Sequence, residues 1–262
     1  MEKVRVIVFD IWGEFAHFRR FFTTSSPLTF SFPPPTTLCG IIGAILGFSK
    51  EEYIVKTRRL SFGIKLLSPV KKLRLGVNFI FTKGSGEKFE PTLFHDKKGD
   101  AGKTLRTQVP VEFLKEPAYR IFVSGEDNLL NSLLKYLPYH KTEYTLSLGL
   151  SECLADFKFV GEFEAEWFSE SPFMDTAILV KDVKSLEFSS GKRTGLRIGK
   201  ERIPLVMDEN RQVLAYEDVI FEVSGKRIAG KFKNIFYLAG LDCYVSFLDY
   251  DKIFKNGASF TP

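Results

Sequence analysis

Residues 9–47, FDIWGEFAHFRRFFTTSSPLTFSFPPPTTLCGIIGAILG, run an apolar strand into a polar, cationic loop, then three prolines, then a helix of small residues. Residues 4–11 are apolar and β-branched, which suits a largely buried strand. His17, Arg19 and Arg20 follow at once, with Phe15, Phe18, Phe21 and Phe22 around them. Thr23, Thr24, Ser25 and Ser26 then offer hydroxyls before Pro27. Cations neutralise phosphates, aromatic faces stack on bases, and small hydroxyls bond to sugar and phosphate. That mixture implies contact with single-stranded RNA. Beyond Pro33-Pro34-Pro35, Thr36 or Thr37 can cap a helix and Gly47 can end it. Gly40, Ala44 and Gly47 share one smooth face, which would let the helix lie close to a sheet. The alternative is that amides at its N-terminus help hold a phosphate.

Outward from this stretch, residues 60–67 and 74–82 predict strands, and residues 83–103 a long Gly- and Lys-rich loop without apolar periodicity. Residues 108–113 and 119–123 read as further strands. Residues 129–137 read as a short amphipathic helix capped by Asp127 or Asn128 and stopped by Pro138, and residues 154–168 as a closing strand. The order β-α-β-β-α-β is ferredoxin-like, the fold of RRM domains, although no RNP-like aromatic motif stands on these strands. From about residue 165 the pattern changes. Residues 177–180, 186–188, 219–223, 228–232 and 244–248 are short, spaced strands divided by Gly, Ser, Asn and Asp. The expected fold class is therefore α+β: a ferredoxin-like domain over residues 1–164 with a basic insertion at about 82–118, then a small β-rich domain over 165–262.

Composition is that of a globular protein, with 44% apolar and 26% charged residues. Among them are 27 phenylalanines, so many must be core and an aromatic alone is weak evidence for base stacking. The net charge of +5 is concentrated: residues 71–120 hold 11 Lys+Arg against 6 Asp+Glu, and the remainder balances. Charge gathered in one stretch is an electrostatic footprint, with a solvated loop as the plainer alternative. Cys39, Cys153 and Cys243 are far apart and lack CxxC spacing, so neither a metal site nor a disulfide framework is expected, nor any cofactor. No signal peptide is visible, and the longest apolar run, 38–48, is about half of the roughly 20 residues a membrane span needs. A cytoplasmic protein is expected, with no membrane partner.

Several patterns carry less than they first suggest. Residues 98–104, KGDAGKT, lack the P-loop spacing because Lys97 stands where a glycine is required. The cations Lys97, Lys98, Lys103 and Arg106 read instead as RNA-backbone contacts. Residues 191–202, GKRTGLRIGKER, read as an exposed hairpin, with a second nucleic-acid contact as the alternative. Glu162, Glu164 and Glu166 alternate with apolar residues and read as the solvated face of a strand. A metal-independent ribonuclease would need a base such as His17, His95 or His140 near the RNA.

The order FDxxGxFAxFRxxxTxxSPLTFxFPPxTTLxGIIGAILG resembles the N-terminus of the CRISPR-associated RAMP proteins of the Cas-five family, closest to type I-B members. Residues 144–155, YTLSLGLSECLA, are similar to that family's mid-chain LGxSExLA element. The resemblance implies a non-catalytic Cascade subunit that binds and caps the 5′ handle of crRNA in antiviral defence. It also implies that the basic insertion is a β-hairpin thumb folding over the RNA. Implied handle contacts are His17, Arg19, Arg20, Thr23, Thr24 and Ser25, with Thr36 and Thr37 at the helix start. Implied partners are crRNA, the backbone subunit, the large subunit, a guide-processing endonuclease and, through the complex, target DNA. Type I-C members that cleave guide precursors use a tyrosine where alignment on Pro35-Thr36 puts Phe30, which argues against that activity. The rivals are such an endoribonuclease and a protein-binding scaffold.

Overall fold

A computed structural model of the chain describes residues 3–23, 26–80, 106–187 and 195–249. The β-branched run becomes strand β1 (Lys3–Gly13), followed by the short β2 (Phe15–Ala16). Helices α1 (Pro35–Leu46) and α2 (Tyr53–Thr57) lead to β3 (Ser61–Leu66). A long ribbon, β4 (Lys72–Ile80) and β5 (Arg106–Lys115), precedes β6 (Ala118–Ser124), helix α3 (Asp127–Leu133) and β7 (Ala155–Met174). The rest is strand: β8 (Ile178–Leu179), β9 (Val183–Leu186), β10 (Ile198–Met207), β11 (Val213–Glu222), β12 (Ile228–Leu238) and β13 (Cys243–Val245). The protein is mixed α and β, mostly sheet with few helices.

The main sheet runs β13-β12-β7-β1-β6-β3, with β9 also on β12, and all its pairings are antiparallel. Two three-stranded sheets, β2-β5-β4 and β10-β11-β8, flank it. Strand β1 is central, which explains why its apolar run at residues 6–9 is buried on both faces. Ile7, Phe9 and Ile11 face one core with Leu38, Ile42 and Ile45 of α1, while Val6 and Val8 face another with Phe122, Phe236 and Phe247. Eight phenylalanines are among the largest fully buried side chains, each worth about 1.5–3 kcal/mol relative to exposure. Most of the aromatic excess therefore builds core rather than a stacking surface.

Several expectations needed correction. The cap of α1 is Pro34, without a side-chain bond, and Thr36 and Thr37 lie inside the first turn. Proline at the first helical position loses nothing, because its missing N–H would have had no partner there. Gly47 ends the helix as expected, at φ 75°. The small-residue face meets neighbours other than the sheet: a Cβ at Gly40 would lie 3.8 Å from the Tyr53 ring of α2, and one at Gly47 2.8 Å from the Glu143 side chain. Helix α3 stops at Leu133, and a separate 3-10 turn, Leu137–Tyr139, takes up Pro138. Strand β10 was not expected at all. The closing strand is longer than read: β7 runs unbroken through residue 164, pairing with β1 over residues 155–166 and with β12 over 166–174.

Candidate nucleic-acid interface

Residues 17–23 and 26–31 lie close together beyond β2. Arg20 N–H donates to Leu28 O at 2.9 Å, Phe30 N–H to Phe18 O at 2.8 Å, and Thr23 Oγ1 to Arg20 O at 3.0 Å. This pairing holds Phe21 and Phe22 outward at 51% and 55% exposure, with the Phe21 ring 4.4 Å from that of Tyr216 on β11. Arg19 is exposed and, among the described residues, donates to Thr23 O at 3.5 Å. Its neighbour is different. Arg20 donates to Thr29 O at 3.0 Å and is ion-paired with the buried Glu201 of β10, which also accepts from Ser31 N–H and Ser31 Oγ. The guanidinium of Arg20 is thus spent inside the protein.

His17 is 3% exposed, with Nδ1 2.7 Å from Glu112 O and its ring against Phe113. The fold packs it rather than presenting it, because residue 17 follows β2 into the core. His140 is exposed, 3.1 Å from Asp156 and stacked on Phe157 at 4.5 Å. Phe30, where a phenol would be needed for the type I-C chemistry, is 2% exposed. Tyr119 is fully buried; burial and the Glu201 charge push its phenol well above the usual range, and it donates to Ser31 O at 3.0 Å. Among the described residues no group of three His, Cys, Asp or Glu could hold a metal ion. No described helix is long and apolar enough to cross a membrane.

The N-terminus of α1 opens on a cavity of about 340 Å³. Thr36, Thr37, Gly40 and Ala44 line it from the helix and Tyr53 from α2. Thr145, Ser147 and Gly149 close the far side, with Met207 at the end of β10. Two motifs far apart in the chain thus meet. Backbone bonds from Glu143 N–H to Ile45 O and Tyr144 N–H to Ala44 O lay the second motif along the helix. His17 N–H then donates to Leu148 O at 3.0 Å, tying the cavity wall to the base of the Arg19 loop. Gly149 sits there at φ 98°, and a Cβ would come within 1.9 Å of His17 O. Of the residues lining this cavity, Thr36 and Thr37 were singled out in the sequence; Tyr53 and Met207 were not, because nothing local marks them.

The ribbon extends from the same side of β2. Lys72 and Arg74 approach Glu112, at 3.2 and 4.0 Å, and Lys71 bonds Glu116 at 2.8 Å. Arg106 opens β5 opposite Ile80. Thr24, Ser25, Lys97, Lys98, Lys103 and His95 lie outside the described residues. Of residues 191–202, 198–202 belong to β10 and pair with β11, where Lys200 meets Asp218 at 2.9 Å, and 191–194 lie outside the described residues. Glu162, Glu164 and Glu166 form a solvated face as expected, matched by Lys3 and Arg5 across on β1.

The family model described as CRISPR-associated protein (Cas_Cas5) matches residues 6–209. The chain belongs to this family. No curated protein matches the chain. The Cas5-family chain is similar to one in a solved "CRISPR RNA-guided surveillance complex", at 12% identity and a TM-score of 0.49, covering 95% of this chain and 98% of that one. It is also similar to a CRISPR protein from Archaeoglobus fulgidus, at 14% identity and a TM-score of 0.47, covering 95% of this chain and 100% of the other. A chain of a Type III-B Cmr-beta complex bound to cognate target RNA shares 11% identity, with a TM-score of 0.42 and 86% of each chain covered.

Proposed function

We propose that this Cas5-family protein is a non-catalytic subunit of a type I Cascade surveillance complex that binds and caps the 5′ handle of crRNA. The observation carrying this reading is the convergence of both sequence motifs on one hydroxyl-lined cavity, joined by backbone hydrogen bonds to a loop bearing exposed Arg19, Phe21 and Phe22. Such a surface offers phosphate neutralisation, stacking and small polar contacts together. Arg19, Thr36 and Thr37 are the described contacts we assign, with Thr24, Ser25, Lys97, Lys98, Lys103 and Arg106 as further ones. His17, Arg20 and Thr23 hold the shape of the loop that presents them.

The fold reading goes with this. The antiparallel order β7-β1-β6-β3, with α1 between β1 and β3 and α3 between β6 and β7, supports a ferredoxin-like domain. The β4–β5 ribbon supports a thumb rooted at its base. The partners we assign are the backbone subunit, the large subunit and a guide-processing endonuclease, in the cytoplasm, with target DNA reached by guide pairing.

The test is to incubate purified protein with 5′-labelled repeat RNA in EDTA and follow retention and fragment length. Retention of intact RNA that weakens as salt rises is the expected result. A single discrete cut would transfer the assignment to a metal-independent endoribonuclease. Assembly without any RNA retention would leave a protein-binding scaffold.

A further inference from the structure

The edge of a sheet carries a row of unpaired N–H and C=O groups that a further strand can claim. The edges of β3 and β5 are closed. Beyond β3, Leu248 N–H donates to Phe62 O at 3.0 Å and Ala177 N–H to Ile64 O at 2.8 Å. The outer side of β5 holds β2, then Glu112 N–H donating to Pro27 O at 3.0 Å, then Pro110, which has no N–H to offer.

Strand β4 is the opposite edge of that three-stranded sheet. Lys115 N–H donates to Lys71 O at 2.9 Å, which sets the alternation of the ladder. Odd-numbered residues of β4 bond to β5, and even-numbered ones point their N–H and C=O outward. Glu112 and Pro110, opposite Arg74 and Gly76, face outward on β5 by the same count. Among the described residues, the outward groups of Lys72, Arg74, Gly76 and Asn78 meet no main-chain partner, and all four residues are exposed.

The two faces of this edge differ. Leu73, Leu75 and Phe79 share one face, at 39%, 38% and 45% exposure. The other is cationic. Lys72 and Arg74 share the single carboxylate of Glu112, with the Arg74 side chain 68% exposed and 4.0 Å away. At the foot of the ribbon Lys71 and Lys115 share Glu116, at 2.8 and 3.8 Å. These four cations against two carboxylates leave a positive excess along the edge. RNA matches that charge but not the row of carbonyls, because phosphates accept hydrogen bonds and do not donate them. A polypeptide strand donates and accepts alternately at the right spacing, and offers a different side chain to each face.

We propose that the outer edge of β4 takes an extended segment of a partner protein as an added strand. Its acidic side chains would lie over Lys72 and Arg74, and its apolar ones beside Leu73, Leu75 and Phe79. This inference does not rest on the RNA-binding reading above and goes beyond it.

The test titrates the full chain into a short fluorescein-labelled peptide alternating valine with glutamate, followed by fluorescence anisotropy. Asn78→Pro removes one outward N–H and leaves the β5 ladder whole, as Pro110 does on the opposite edge. It should weaken the peptide about tenfold, the worth of one hydrogen bond, with the urea midpoint unchanged. Arg74→Glu provides a second readout that does not depend on proline being tolerated. It should turn the preference toward a peptide alternating valine with lysine, which the natural sequence binds about tenfold more weakly than the glutamate peptide. Equal binding of the two peptides by the natural sequence, or no binding of either at millimolar concentration, overturns the proposal. So does unchanged affinity in a folded Asn78→Pro. A dimer that Asn78→Pro dissociates in sedimentation would give the edge to a second copy instead. Protection of the Lys72, Arg74 and Asn78 amides from hydrogen exchange by oligouridine would give it to RNA.

Discussion

Glu201 brings a carboxylate from β10 to the loop after β2, where it accepts from Arg20, from Ser31 N–H at 3.0 Å and from Ser31 Oγ at 2.8 Å. Removing one partner of a buried pair strands the other without water, which costs more than the pair itself contributes. Glu201→Ala should therefore lower unfolding stability by about 3 kcal/mol in urea denaturation. Arg19→Ala, at an exposed cation, should change stability by less than about 0.5 kcal/mol. Its effect belongs on RNA: weaker binding and a salt dependence shallower by about one unit of slope. Equal stability losses in the two variants would remove the division of labour between Arg19 and Arg20. Cys243 makes a second case. Burial, aided by the Asp175 charge, pushes its thiol from 9.0 up to about 12. Only the thiolate attacks reagents, so Cys243 should stay unmodified by a thiol reagent at pH 8 until the chain unfolds. The sign of the linkage follows. Above pH 9.0 the unfolded thiol loses its proton first, so this group's contribution is complete below 9.0 and lost between 9.0 and about 12. Mass spectrometry after labelling reads the first effect, and denaturation across that pH window the second.

Helix α1 separates what a local sequence can say from what it cannot. Gly40 and Gly43 look alike in the sequence, and the structure gives them opposite surroundings. A Cβ at Gly43 would lie 2.7 Å from Tyr53 Cβ, a position that can move only with α2, whereas at Gly40 the nearest atom is 3.8 Å away. Gly43→Ala should destabilise by about 1–3 kcal/mol through overpacking, despite the better helix propensity of alanine. Gly40→Ala should stabilise by about 0.5–1 kcal/mol. Urea midpoints of the two variants moving the same way would contradict this account of the helix. The run of β1 and the Gly47 stop were legible because short-range sterics and apolar content decide them. Strand β10 was hidden because Lys200, Glu201, Arg202 and Pro204 break its apolar pattern, and Pro204 sits beside a register shift against β11. Glu201 faces inward there because Arg20, 181 residues earlier, and Ser31 receive its carboxylate. Likewise the cavity drew Thr36 and Ser147 from recognisable motifs, but Tyr53 and Met207 from stretches whose neighbours carry no mark of a site.

At the scale of the whole molecule the question is whether residues 1–164 and 165–262 fold as separate units. The strand pattern changes near residue 165, where β7 passes from pairing with β1 to pairing with β12. Backbone hydrogen bonds cross that point: Ala177 N–H to Ile64 O at 2.8 Å, Val70 N–H to Val223 O at 2.9 Å, and Leu248 N–H to Phe62 O at 3.0 Å. Apolar contacts cross it as well. Val6, Val8 and Phe122 are fully buried against Phe236, Val245 and Phe247, so a chain ending at 164 would expose one whole face of β1 and β6. At about 1.5–3 kcal/mol for each buried side chain, uncovering three of them removes a large part of the roughly 5–15 kcal/mol that holds a domain folded. The full chain should therefore unfold in a single cooperative transition, with fluorescence and circular dichroism tracing one curve. The 1–164 fragment should be aggregated or lack fixed tertiary packing. Two resolved transitions, or a well-packed fragment, would instead establish two independent domains and make β7 a strand shared across their junction.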